Sequence, residues 1–473
     1  MEDGVDLFFL HVPTTITIRP LMKPAQPSIF SMPGKLFSWI VVAVVFIGLA
    51  WRQHAFVDRY AVNVMYWDQW GIYGPMFEER GWWAGFDFQH GPHRQGAGFL
   101  VTRVLAEASD WNSRWDAFGV SWVLIAAAGA GLILAWRCGA RNAAALAMVP
   151  LLYLNIRQYE QFAGPSNISH GAMPLLLLTL YGLAWFVKTR GLRLGLLTGL
   201  TFLAIFTGFG FYVGGISLVL FGLESVQLAR QKDRRGAIQA ALALAAVVAS
   251  WGLFFCHYKT ETAATGFSQV VGQVGQTLRF VGVMLANAQG VWGAGWVATT
   301  TGLVVFGLLV ALCFYQGVQL VRVGVAKTEP RSVVFFSLTA FVATYCVSAA
   351  LGRLGEGIEA ARASRYVTLM VPAGLAFCLQ LSAMKQTWSA RGLFAGYFGL
   401  LLILTVQLRP GDLKQAESFR ATRVVWAQTY LETRDIRTAN EKAGQEIFPG
   451  STVQAQVDYL QEHRLNFFKN AGK

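Results

Sequence analysis

The chain has 473 residues, of which 54% are hydrophobic and only 14% are charged. A soluble domain carries about 25% charged residues, so the composition excludes a soluble enzyme, a disordered regulator and a disulfide-stapled secreted scaffold. The formal net charge of +13 would suggest nucleic acid in a soluble protein, but here its distribution points to membrane sidedness and no nucleic-acid partner is expected.

The first 35 residues hold five of the fourteen prolines and no long apolar run. They read as a flexible cytoplasmic extension, with Met22 and Met32 as alternative starts. From there the apolar runs are clustered rather than periodic: Trp39–Ala50, Ala143–Leu154, Ala172–Val187 and Ala240–Phe255 are uncharged for most of a bilayer's thickness. Eleven spans are expected, near 36–51, 117–136, 143–154, 168–187, 194–208, 211–228, 237–256, 292–315, 333–351, 366–384 and 392–408. The fold class is therefore all-α and polytopic. With the N-terminus cytoplasmic, the inner segments hold 17 basic residues against six acidic ones. That is the excess that membrane insertion selects in short inner loops.

The other face then carries most of the polar chemistry. The first outer loop, 52–116, should form two helices lying on the membrane. Trp67, Trp70 and Phe77 mark one apolar face; Phe99, Leu100, Val104 and Leu105 mark the other. Its tryptophans suit the headgroup level. A second outer segment, 155–170, places Arg157, Glu160 and His170 beside a short span. A third, 352–366, carries Arg353, Glu356, Glu359, Arg362 and Arg365. Ionisable groups at the mouths of apolar helices are costly unless water, partners or ligands solvate them, which makes them functional candidates. The stretch 257–290 reads as a loop with an interfacial helix. The tail, 409–473, has ten basic and eight acidic residues and two amphipathic patches, near 424–431 and 453–465. It should cap the outer loops. The five cysteines lie in or beside spans without metal-ligand spacing and read as packing residues.

Several short motifs carry a likeness: Tyr66-Trp67-Asp68-Gln69-Trp70, His90-Gly91-Pro92-His93-Arg94, Gln158-Tyr159-Glu160-Gln161-Phe162 and Ser364-Arg365-Tyr366 before a late span. With the two-helix first loop, they resemble the GT-C superfamily of integral-membrane glycosyltransferases, over most of residues 36–408. The likeness is to a bacterial branch whose loop often reads His-x-Glu-His-Arg; Pro92 stands at the glutamate. The resemblance implies a polyprenyl-phosphate sugar donor, a glycan or lipid-linked acceptor, and chemistry on the periplasmic face of the bacterial inner membrane. The sequence has no GxxxxGK[ST] loop and no GxGxxG after a strand to cradle a nucleotide.

Transfer to an acceptor hydroxyl needs a carboxylate base and cations at the departing phosphate. Asp68 is the expected base, with its proton affinity raised by flanking tryptophans; Asp58 and Asp87 are the alternatives. Arg94 and Arg365, supported by His93 and Arg353, are expected at the phosphate, because a guanidinium fork matches phosphate oxygens. Asp87, His90, Glu160 and Tyr366 are expected to contact acceptor or sugar. No cofactor or metal is expected: the His90/His93 pair lacks the further ligands of a catalytic zinc, and a divalent ion bridging Asp68 or Asp87 to phosphate is the alternative. The competing functions are a repeat-unit polymerase or ligase, which usually has its large loop late in the chain, and a transporter of lipid-linked glycans, which would place charges mid-membrane.

Overall fold

The structure is a computed structural model that describes residues 32–260, 272–384, 387–408, 410–449 and 452–470. The extension 1–31 lies outside the described residues, as does most of 257–271. Apart from one two-residue strand pair, the described regular structure is helical.

Among the described residues, eight helices are long and apolar enough to cross a membrane. They are α1 (Met32–Tyr60), α6 (Arg114–Arg137), α11 (Phe211–Arg230), α12 (Arg234–Phe255), α14 (Trp296–Val323), α15 (Pro330–Arg353), α16 (Arg365–Ala383) and α17 (Trp388–Val406). Between them run α2 (Asp68–Ile72), α3 (Gly74–Phe77), α4 (Trp82–Phe86), α5 (Gly96–Ala108), α7 (Ala143–Tyr153), α8 (Glu160–Ala163), α9 (Ala172–Ala184), α10 (Arg190–Ile205) and α13 (Val274–Ala288). Side-chain caps mark several starts: Asn142 accepts from the Ala145 amide, Asp233 from Gly236 and Thr387 from Ala390.

The remaining three expected spans are helical but short, at 11 residues for α7, 13 for α9 and 16 for α10. A helix crossing the hydrocarbon core needs about 20 residues, so eight of the eleven expected spans reach a crossing length among the described residues. The shortness of α7 and α9 shapes the site. A side chain on Gly119 of α6 would meet Ile168, and one on Gly182 of α9 would meet Leu134 of α6, so α6 and α9 run parallel. Ile168 is then level with Gly119, five positions into α6, which sets the end of the polar 155–171 segment about 7 Å below the start of α6. The chain is recessed there.

Above the bundle, the first loop and the tail share a second apolar core. Tyr66, Trp70, Tyr73, Phe99 and Trp111 pack with Trp426, Tyr430, Val457, Leu460 and Phe468. The tail contributes α18 (Pro410–Thr433), α19 (Ile436–Ala443) and α20 (Gln454–Glu462). The Trp67 amide donates to the Ile447 carbonyl at 2.9 Å, and Asn466 donates to the Trp111 carbonyl. This corrects the first membrane-surface helix. The 67–77 stretch is two short helices, and Trp70 is buried in protein rather than lying among headgroups. The second expected helix is α5. Trp82, Trp83 and Trp115 remain exposed, while Trp111 is buried. Three cysteines are buried, but Cys256 is exposed.

Candidate functional site

Asp68 opens α2, following Trp67 in a positive-φ conformation (φ 49°). Trp67 stacks on Tyr66 and Trp70 on Phe77, so the flanking rings serve the loop core. Helix α2 is pinned from below by a buried carboxylate. Asp116, in the first turn of α6, accepts from Gln69 Nε2 at 2.9 Å and from the Tyr73 hydroxyl at 3.0 and 3.1 Å. Burial and the neighbouring Asp116 hold the Tyr73 phenol well above its ordinary pKa, so it stays a donor.

The partner of Asp68 comes from the strand pair Gln89–His90 and His93–Arg94. Gly91 has φ +60° and Pro92 is held near −65° by its ring. That combination is a type II′ hairpin turn, whose first central position favours glycine. It places the His90 Nε2 3.9 Å from Asp68 Oδ1. Gly71 makes the approach possible, since a Cβ there would sit 2.7 Å from the imidazole. His90 is the main cause of a lowered Asp68 pKa, outweighing burial, and the Arg365 charge lowers it further. The expectation of a raised proton affinity is thus reversed. Asp68 is a carboxylate held ionised.

Two more groups, His170 and Arg365, lie within electrostatic range of it, and His93 packs beside His170. His93 is buried against Phe209, with ring centroids 4.2 Å apart, and lies 5.7 Å from the His170 ring. Burial pushes His93 well below 6.5 and His170 to about 4, with the Arg353 charge acting on both in the same direction. Both imidazoles are therefore neutral at physiological pH. Among the described residues, His93 Nδ1 and His170 Nε2 are buried without a hydrogen-bond partner. His170 belongs to the site although no role was expected for it. The only signal in the sequence is an ionisable group at the mouth of an apolar helix.

Arg365 begins α16, and the 155–163 segment braces it. The Ser364 amide donates to Glu160 Oε1 and the Glu160 amide to Ser364 Oγ, each at 3.0 Å; Gln161 donates to the Arg365 carbonyl at 3.3 Å. Glu160 is committed to this clamp. The Arg365 guanidinium lies 5.8 Å from the centroid of the buried Tyr366 ring. Among the described residues no carboxylate reaches it within ion-pairing distance. Arg353 is at the rim, paired with Glu356.

Arg94 behaves differently from its expected phosphate role. It is buried, donates from Nε and Nη2 to the Phe254 carbonyl (2.8 and 2.6 Å) and from Nη2 to that of Cys256 (2.6 Å), and pairs with Asp87 at 2.8 Å. These bonds fasten the hairpin to the end of α12. Asp87 is occupied by the same pair, although burial raises its pKa. Asp58 pairs with Arg114 at 2.8 Å.

The arrangement can accept a proton at Asp68 and place a cation, Arg365, within electrostatic range of the neutral His170. Among the described residues, no three His, Cys, Asp or Glu side chains form a metal-ligating group. A Gly71→Ala substitution should push His90 off Asp68 and so raise the Asp68 pKa. The acid limb of any activity that needs the ionised carboxylate should then move to higher pH. A pH profile of kcat/KM checks this; an unmoved limb would dissociate His90 from Asp68. Comparison with family models, curated proteins and solved structures finds no match to this chain.

Proposed function

We propose that this protein is a GT-C-like glycosyltransferase that moves a sugar from a polyprenyl-phosphate donor to a hydroxyl of a glycan or lipid-linked acceptor. The observation that carries the reading is that the Arg365 charge, 297 positions away in sequence, acts on the Asp68 carboxylate. A general base and a phosphate-seeking cation at one end of an apolar bundle match the demands of this reaction. The acceptor oxygen bonds to the anomeric carbon as the bond from that carbon to phosphate oxygen breaks. The hydroxyl proton goes to Asp68, and the electron pair leaves on the lipid phosphate. Arg365 and Arg353 face that developing charge. His93 and His170, neutral and with free nitrogens, bind sugar or phosphate oxygens, and His90 orients Asp68.

The recessed 155–171 segment favours a lipid-borne donor, because it brings these groups toward the bilayer. The test is a purified-protein assay with a panel of polyprenyl-phosphate sugars, reading release of polyprenyl phosphate. No release from any donor would sink the reading.

The same reading puts the N-terminus in the cytoplasm and the site on the periplasmic face of the bacterial inner membrane. Single cysteines at Ser109 and Gly355, in a background with Cys256→Ser, should react with an impermeant thiol reagent from outside the cell. Reaction of both only after the membrane is opened would reverse the orientation.

A further inference from the structure

A groove of about 510 Å³ lies between α1 and α18, away from Asp68, and none of its lining residues belongs to the candidate site. Its floor is apolar, built from Phe56, Tyr60 and Ile156, and its walls carry Arg52, Arg59 and Lys414. We propose that this groove binds the headgroup of an anionic glycerophospholipid in the leaflet at the loop end of the bundle, and that the lipid fastens the tail to α1.

The depth of the groove follows from two helices independently. On α1 a row of exposed apolar side chains, Leu36, Phe37, Ile40, Val44 and Ile47, ends at Trp51, which is 77% exposed. Arg52 is the next residue. On α17 the corresponding row, Leu402 and Ile403, ends at Val406, 75% exposed. Helix α18, which carries Lys414, begins four residues later. A lipid-facing belt that ends in tryptophan and is followed by basic residues marks the headgroup level. Arg52 ties the two helices there by donating to the Thr405 carbonyl.

Charge selects the occupant. Among the described residues, neither Arg59 nor Lys414 has a carboxylate within ion-pairing distance. The one acid on the lining, Glu417, lies 4.0 Å from Arg420. Arg59 and Phe56 are on one face of α1 with Arg52, at spacings of seven and four residues. A phosphodiester with its glycerol carbons matches this pairing of a cationic rim with an apolar floor, and each basic residue near an anionic lipid surface adds about 1 kcal/mol. The inference does not depend on sugar transfer.

The experiment is equilibrium binding of a fluorescent phosphatidylglycerol to the full chain in non-ionic detergent, with phosphatidylcholine as the uncharged control. The wild type should bind phosphatidylglycerol in preference. Arg59→Gln combined with Lys414→Gln should weaken it about 30-fold, at about fivefold per basic residue. Glu417→Gln should strengthen it about fivefold, and Arg365→Ala should leave it unchanged. The Gln variants change exposed side chains, and the opposite effect of Glu417→Gln separates a headgroup site from a folding defect. Unweakened binding by the double variant would overturn the proposal. So would displacement by inorganic phosphate at concentrations comparable to those of phosphatidylglycerol, which would make this a free-anion site. Tighter displacement by polyprenyl phosphate would overturn it too, because the groove would then take the donor's lipid instead.

Discussion

Asp68→Asn should lower turnover about 10²–10⁴-fold, the usual contribution of one acid–base group. The amide keeps the shape of the carboxylate but cannot take the acceptor's proton. Donor binding should survive, because removing a negative charge does not weaken a phosphate ligand. The sign of the pH effect follows from the lowered Asp68 pKa. The carboxylate is ionised at and above the ordinary carboxylate range, so wild-type activity should not fall with Asp68 titration until the pH is below that range. Any stability contributed by its ionised form behaves the same way: present above the unfolded pKa and lost as pH falls through the depressed folded one. Asp68→Glu should recover little, since a shift of about 1 Å spoils attack geometry. Normal turnover in Asp68→Asn would move the base elsewhere. The neighbouring acids are poor substitutes, because Asp87, Asp58 and Glu160 are already tied to Arg94, Arg114 and the Ser364 amide.

Arg365→Ala should weaken binding of the donor lipid by about 10- to 150-fold, the loss expected for a charge-assisted hydrogen bond of about 1.5–3 kcal/mol. Arg365→Lys should restore only part of it, because a point charge replaces a planar fork. Direct binding of polyprenyl phosphate to each variant is the measurement. Equal affinity in wild type and Arg365→Ala would remove Arg365 from the phosphate site. Arg94→Ala should behave differently, since it releases the Phe254 and Cys256 carbonyls at the end of α12 from the hairpin. It should lower thermal stability rather than change donor affinity selectively.

How much of this was legible in the sequence depended on range. The long helices follow from composition, and all eight overlap expected spans. Helices α7, α9 and α10 were legible as apolar runs. Their ends are set by tertiary neighbours, so hydropathy alone gave their existence but not their length. At the site, Asp68, His90, His93 and Arg365 were each legible as ionisable residues outside the apolar runs. Their pairings were not. The Asp68–His90 approach needs the small Gly71 and a II′ turn to meet in space. Asp116 stood at the end of the expected loop with nothing local to mark it as the buried acceptor for Gln69 and Tyr73. Arg94 misled for a physical reason: a buried guanidinium satisfied by backbone carbonyls looks, in sequence, like one awaiting a phosphate.

The shared core of the first loop and the tail sets a timetable for biosynthesis. The Trp67 amide finds its acceptor at Ile447, 380 positions further along the chain. At about 5–20 residues per second, the ribosome needs about 20–80 s after making Trp67 to reach that partner. During this interval Trp70, Tyr73, Phe99 and Trp111 lack the apolar surfaces contributed by the tail. The residue that opens α2, Asp68, directly follows the amide left waiting. A newly made chain therefore passes through a stage in which its spanning helices exist but its acid has no finished setting. Completion of the loop core around Asp68 waits on synthesis of the tail.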